Sequence, residues 1–573
     1  PPDVDLEAGD AVVAWLTIRS LTTVFDALET VATKLGELPP GASLREKAFN
    51  DLTLLLANNG VTGHEWLDKT RPMHVVFQDD DPKNPQGGAV LLLPVTAEKA
   101  AIGAMKAAKT GAEAKGHAVM LLVEGRPTFF DFIGKYMVVT SDESRFGKVK
   151  AFAGRLAKTE ASALIYFGLS VTDAVKTRKA EIDVLVAQLS AVQQQQAAKG
   201  MPGTDYYNRM VKQWLSELTR FELTLDADAE RFDIGTRLHA VRGSKLEKQL
   251  NSGRGRDALE LAKYLPANAY LAAVAATDPK AGEAQLNDSL KMLQEMFKLD
   301  DKAAAAVEAD ARSAWKFSDG TSAFAAYPDG SAALGMVAFG GARDPAAVLT
   351  VTKRVLSAIL LRALEMEQEK AKKLNPKAAD DPKLAIVAAA IKEMKVDPLI
   401  ASFGPIAKEM GVTVTANTSK DGGATCDVID LAFDWAKIAK AAPNDAARGA
   451  AIMGDRTALT LCVGKERLSF SAGPSALEQG RRAALAKPAG LADAPVFKGA
   501  AARNVNKPTW LFMANTGTAI AAFSKVLPMP LQGFPTDRAV TMGCGNRARS
   551  FACQLEVPVQ VVQAVRALTS GAP

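Results

Sequence analysis

At 573 residues the chain is too long for one ordinary hydrophobic core, and its 48% apolar and 23% charged residues are those of a globular protein rather than a disordered or fibrous one. A net charge of +5 over that length is mild and gives no reason to expect a nucleic-acid partner. No run of 18 or more apolar residues occurs. The best stretch, 353–366, is interrupted by Arg354 and Arg362, so no transmembrane span is expected.

The first segment, 1–11, is short, polar and Pro-led, and reads as a tether left by a cleaved export signal or an N-terminal lipid anchor upstream. A strand-like run, VVAWLTI at 12–18, follows, then helical stretches and two strands at 73–79 and 87–95. A helix starts near Ala97, and Gly134-Lys135 sits between two further strands within 129–146. After a strand beginning at 164, residues 172–219 read as a helical insertion. In its second helix Tyr206, Met210, Trp214 and Leu218 recur at every fourth position. Residues 220–252 form two alternating strands and a helix-like tail. A link at 253–266 carries Gly253 and Gly255, which end that helix, and Pro266, which precedes the next strand.

The same order then recurs. A strand at 269–275 is followed by helices, a strand pair at 321–327 and 332–340, and a helix near Asp344. A helical insertion at 346–410 is broken at Asn375-Pro376 and Asp381-Pro382. Two strands around Gly464-Lys465, a block at 510–523 and a strand-strand-helix block at 539–571 complete the series. Phe221, Leu223 and Leu225 fall on Val540, Met542 and Cys544. Phe232, Ile234 and Leu238 fall on Phe551, Cys553 and Val557. The expected fold is therefore α+β: two tandem divergent repeats, 12–252 and 267–573, each a mainly antiparallel sheet packed with helices. Polar and apolar residues alternate along the strands, which predicts a sheet buried on one side.

All four cysteines lie in the second repeat. Cys544 and Cys553 sit on adjacent strands of one hairpin and share a face, so a disulfide is expected there. Cys426 and Cys462, in separate strand-like segments, are a second candidate pair. An even count in pairable positions favours an oxidising compartment.

Catalytic signatures are missing. Gly134-Lys135 and Gly464-Lys465 lack the upstream glycine of a phosphate loop and read as hairpin turns. His64-Glu65 has Asp68 where a zinc-binding helix would place its second histidine. No nucleophile elbow occurs, and Ser469-Phe470-Ser471 has no assignable histidine partner. Asp79, Asp80 and Asp81 form a weak calcium candidate whose spacing is not that of an EF-hand and which reads better as a solvated loop. No cofactor and no metal are expected. The apolar stripes Tyr206, Met210, Trp214 and Leu356, Leu360, Leu364 are candidates for a partner or acyl-chain surface, or for ordinary core.

The repeated plan, the Ala- and Gly-rich composition and the phrase Leu265-Pro266-Ala267-Asn268-Ala269-Tyr270-Leu271 resemble a broad group of exported, often lipid-anchored bacterial envelope proteins. The resemblance implies export to the periplasm or outer membrane of a Gram-negative cell and assigns no catalytic residue. The expected function is a non-catalytic envelope binding or scaffold protein that acts by surface recognition of an envelope partner. The alternatives are a periplasmic carrier of a hydrophobic ligand or lipid, and an enzyme with a dispersed site. A continuous apolar cavity would favour the carrier.

Overall fold

The computed structural model describes residues 12–39, 41–58, 61, 63–78, 89–106, 113–115, 118–123, 126–158, 163–177, 179–180, 183–184, 187–188, 204–253, 257–280, 283–297, 299–374, 382–395, 397–524, 526, 531, 533–547 and 550–569. Asp79, Asp80 and Asp81 and the segment 1–11 lie outside them. The chain divides into two units, Pro1–Val192 with Asn208–Glu247 and Arg549–Gln563, and Gln193–Tyr207 with Lys248–Ala548 and Ala564–Pro573. Each is α+β, and every described strand pair is antiparallel.

The strands of the first unit are β1 (Val12–Ile18), β2 (Met73–Gln78), β3 (Ala89–Pro94), β4 (Glu113–Lys115), β5 (Ala118–Val123), β6 (Arg126–Ile133), β7 (Tyr136–Thr140), β8 (Ile165–Ser170), β9 (Leu218–Ala227) and β10 (Arg231–Ala240). Their spatial order is β4-β5-β6-β7-β3-β2-β1-β8-β9-β10. Gly134, with φ 59°, makes the turn between β6 and β7. The residues of β1 alternate, and Trp15 is fully buried on the inner face against Phe152 and Tyr166, with ring centroids 5.5 and 6.2 Å away. Gly168 stands directly opposite Trp15 on β8, where a Cβ would come within 2.2 Å of the indole. Only glycine lets the ring lie flat across that strand. Helix α1 (Arg145–Leu156) closes this core with Val149, Phe152, Ala153 and Leu156, an i, i+3, i+4, i+7 stripe.

His74 faces the same core. It is directly opposite Thr17 on β1, whose Oγ1 lies 2.9 Å from its Nδ1, and its Nε2 meets no acceptor. Burial pushes its pKa down to about 4 from an ordinary 6.5. The folded value lies below the unfolded one, so the unfolded chain takes up the proton first. This ring therefore costs nothing above pH 7 and removes roughly 3 kcal/mol of stability as pH falls from about 6.5 to about 4. Urea denaturation at a series of pH values should show that loss, and His74→Gln should flatten it. An unchanged profile in the variant would mean that the imidazole is hydrated in the folded protein.

In the second unit the strands are β11 (Leu271–Ala276), β12 (Ser318–Asp329), β13 (Ala332–Ala342), β14 (Val412–Asp421), β15 (Ala424–Phe433), β16 (Arg456–Val463), β17 (Arg467–Gly473), β18 (Trp510–Ala514) and β19 (Val540–Arg547). They run in the order β14-β15-β16-β17-β13-β12-β11-β18-β19. β20 (Ser550–Pro558) belongs to the first unit, where it pairs with β10 and sets Asp233 opposite Glu556. The core of the second unit lies on one face of the sheet, formed by Ala272, Val274, Ala325, Val337, Phe339, Leu511 and Met513. A 3-10 helix, Ala258–Tyr264, packs under it. Ala258, Leu261, Ala262 and Leu265, in the segment read as a link, are therefore core residues of this unit.

All four cysteines are disulfide-bonded. Cys426 and Cys462 pair directly across β15 and β16, both fully buried, beneath a helix spanning Ala476–Ala484. Within 346–410 the described residues form three helices, α2 (Pro345–Leu374), α3 (Pro382–Glu393) and α4 (Asp397–Glu409), with Pro382 at the first residue of α3. In the insertion at 172–219, Thr204–Glu217 is helical, but Leu218 opens β9 and is buried there.

One expectation needs correction. Alternation in β9 and β10 places Phe221, Leu223, Leu225, Ile234 and Leu238 on one face and Glu222 and Arg237 on the other. The polar face is the buried one: Glu222 is 1% exposed, whereas the apolar residues are half-buried. The reason is charge pairing, described below.

Candidate apolar binding site

In the second unit, the sheet face opposite the core is apolar and partly open. Two adjacent register rows cross it. One runs Leu461, Phe470, Ala338, Phe324, Ala273 across β16, β17, β13, β12 and β11. The next runs Leu468, Gly340, Ser322, Ala275, Trp510 across β17, β13, β12, β11 and β18. Five of these ten side chains are Gly, Ala or Ser, so apart from Phe324 on β12 the central strands carry little volume. The large residues Leu461, Phe470 and Leu468 stand on one side, and Trp510 on the other. The result is a trough of about 410 Å³ whose described lining side chains are apolar apart from the Ser322 hydroxyl and the Trp510 indole N–H. That size falls in the range of small-molecule sites, roughly 300–1,000 Å³. Trp510 stacks on Phe512 at 6.3 Å, which steadies that wall.

Exposure marks this face as unusual. Phe470 is 45% exposed and Leu459, in the neighbouring row, 37%. Large apolar side chains left open together mark an interaction surface, where isolated ones would not. Helix α2 lies beside the trough without lining it. It packs on β13, β17 and β16, and Lys353 Nζ lies 3.5 Å from Asp427 Oδ2. Asp427 stands opposite Leu461 on β15, so it shares the face of the trough.

Sequence reasoning considered Ser469-Phe470-Ser471 only as a nucleophile site. Both hydroxyls point into the core instead. Ser469 donates to the Gly480 carbonyl and Ser471 to that of Ala476, each at 2.6 Å, while Phe470 projects into the trough. Of the expected surface stripes, Leu356 and Leu360 are each 44% exposed on α2 and Leu364 is half-buried. Trp214 is 38% exposed. Tyr206 and Met210 belong to the same helix as Trp214, and their side chains lie outside the described residues. Leu356, Leu360 and Leu364 do not line the trough. Among the described residues no group of His, Cys, Asp or Glu is placed to hold a metal ion.

A second cluster of charge lies in the first unit. Glu222 and Arg237 are directly opposite on β9 and β10, as are Arg220 and His239 one step along the same face. The Glu222 carboxylate is 2.8 Å from Arg220 Nε and 3.5 Å from Arg237 Nη1. His239 Nε2 is 3.1 Å from both Glu222 Oε1 and Arg220 Nη2. Protonated there, it donates to the carboxylate; unprotonated, it accepts from the guanidinium. Burial alone would raise the Glu222 pKa, but the His239 hydrogen bond and the charges of Arg220, His239 and Arg237 outweigh it and hold the carboxyl below its ordinary range. Tyr166 packs beside it, its hydroxyl pushed upward by burial and by the Glu222 charge. The group is closed to solvent and reads as a structural ion-pair network.

No protein-family profile, no curated protein and no solved structure matches this chain. No described helix is long and apolar enough to cross a membrane.

Proposed function

We propose that the chain is a non-catalytic binding protein that holds an elongated apolar ligand, of the acyl-chain kind, in the trough of its second unit. The observation that carries the reading is the pair of register rows in which Ala, Gly and Ser are ringed by Phe470, Leu461, Leu468 and Trp510 on an open sheet face. An exported setting fits. Two disulfides and the lack of a membrane-crossing helix among the described residues are compatible with it, and the Leu265–Leu271 phrase adds the resemblance to bacterial envelope proteins. A periplasmic or outer-membrane carrier is the role that combines these features. Surface recognition of a protein partner is the second reading, favoured by Leu356 and Leu360, exposed one turn apart on α2.

We also propose that the two units are tandem divergent repeats. Replacing each strand from β1 to β9 by the strand ten later turns the order of the first unit into that of the second.

Gly340 provides the test. A Cβ there would meet only the Thr321 carbonyl at 3.7 Å, so a larger side chain extends into the trough without disturbing the core. Gly340→Leu should weaken binding of the apolar fluorophore N-phenyl-1-naphthylamine by about tenfold or more, the worth of one buried leucine-sized contact. The melting temperature should hold or rise. Equal binding by variant and parent, or no binding by the parent, would remove the trough as the site.

A further inference from the structure

We propose that the trough's occupant is a single-chain anionic amphiphile whose head group, a carboxylate or a phosphate monoester, is held in a basic cleft at the ends of the trough-forming strands. This rests on the trough being the ligand site. The cleft, of about 380 Å³, is lined by Lys280, Arg312, Lys316 and Arg343, with Trp315 and Glu283. Four cations face one carboxylate. Arg312 is already engaged by Glu308 at 2.8 Å and Glu283 at 3.4 Å. Lys280, Lys316 and Arg343 are exposed and have no ion-pair partner among the described residues. The nearby acids are not within ion-pair distance of these three cations among the described residues. Asp278, Asp319 and Asp344 turn their carboxylates onto the backbone N–H groups of Lys280, Thr321 and Ala347. Trp315 donates its indole N–H to the Pro279 carbonyl at 2.7 Å, which fixes the loop that carries Lys280.

Position links the cleft to the trough. Pro279, Ser318 and Arg343 lie four, four and three residues beyond Ala275, Ser322 and Gly340, on or next to β11, β12 and β13. At about 3.3 Å per residue the separation is on the order of 10–13 Å. A ligand with its chain on the two rows would therefore place a terminal anion among three free cations. A neutral ligand would leave Lys280, Lys316 and Arg343 without an ion-pair partner among the described residues.

The experiment is displacement of N-phenyl-1-naphthylamine from the full chain by dodecanoate, dodecyl phosphate and dodecanol, which share one chain length. Each is measured against the parent protein and against the triple variant Lys280→Gln, Lys316→Gln, Arg343→Gln. All three substitutions are at exposed positions, and unchanged circular dichroism and melting temperature confirm folding. Both anions should displace the fluorophore from the parent at concentrations about tenfold or more below dodecanol, and raised salt should shrink the gap. The triple variant should lose that preference while binding dodecanol and the fluorophore as before. The tighter of the two anions identifies the head group. Equal potency of dodecanol and the anions, or a triple variant that keeps the preference, would overturn the head-group assignment while leaving the trough intact. Failure of the fluorophore and of every competitor to bind would instead remove the trough itself.

Discussion

Glu222→Gln should destabilise the first unit by about 3–5 kcal/mol, the cost of breaking a buried ion pair from one side. The substitution keeps the shape of the side chain and removes only its charge. Arg220 and Arg237 then lose the carboxylate they share, with their own side chains 11% and 8% exposed. Water can reach them little, and a neutral amide offers far weaker compensation. Urea denaturation followed by circular dichroism would measure the loss. A loss below about 1 kcal/mol would place the pair in the range of solvent-exposed bridges and show that the cluster is hydrated. The contrasting variant, with Arg220, Glu222 and Arg237 all replaced by Met or Leu, should come out near the parent, because the desolvation of all three charges is removed together. Acid should act like the single substitution. The folded Glu222 pKa is depressed, so its contribution is present above the ordinary carboxylate value and is lost as pH falls through the folded one.

The same cluster explains what could not be read from the sequence. Alternation in 220–240 groups Phe221, Leu223 and Leu225, and the register puts them on one face with Arg220 and Glu222 on the other. Alternation says which residues share a face, not which face meets protein. Hydrophobicity made the apolar face the natural choice, but a carboxylate between two guanidiniums and an imidazole can be buried when its charge is matched. The alternation and turns also gave the antiparallel α+β class. Gly134-Lys135 and Gly464-Lys465 do join β6 to β7 and β16 to β17. The trough was not legible for a different reason. Its residues come from six strands between Ala273 and Trp510, and they join only through register. Within any one strand, small residues such as Ala273 and Ala275 look like unremarkable packing. Phe470 is the exposed member of its trio, while Ser469 and Ser471 are the buried pair. The basic cleft was hidden in the same way, since Lys280 and Arg343 follow β11 and β13 while Lys316 lies in the last turn of the helix before β12.

The cysteine pairing was more accessible, because Cys544 and Cys553 stand at hairpin spacing and leave Cys426 and Cys462 as the other candidates, and the two loop lengths predict unequal effects. Cys426 and Cys462 close a loop of 36 residues with Cα atoms 4.0 Å apart, whereas Cys544 and Cys553 are nine positions apart in the chain. Loop-closure entropy in the unfolded state gives about 4 kcal/mol for the longer loop and roughly 2.5 for the shorter. Cys426→Ala with Cys462→Ala should therefore lower the opening free energy at the β15 and β16 amides by about 4 kcal/mol, read from native-state hydrogen exchange. The corresponding alanine pair at 544 and 553 should cost less. Both cysteines of the long loop are fully buried beneath the Ala476–Ala484 helix, where a Cβ on Gly480 would already be 3.3 Å from the Cys462 sulfur. A thiol reductant should therefore reach that bridge only when the helix and strands open, and the rate of reduction should follow the same exchange. Fast reduction in native buffer, or equal losses from the two alanine pairs, would mean that the helix does not seal the bridge or that loop length does not set its contribution.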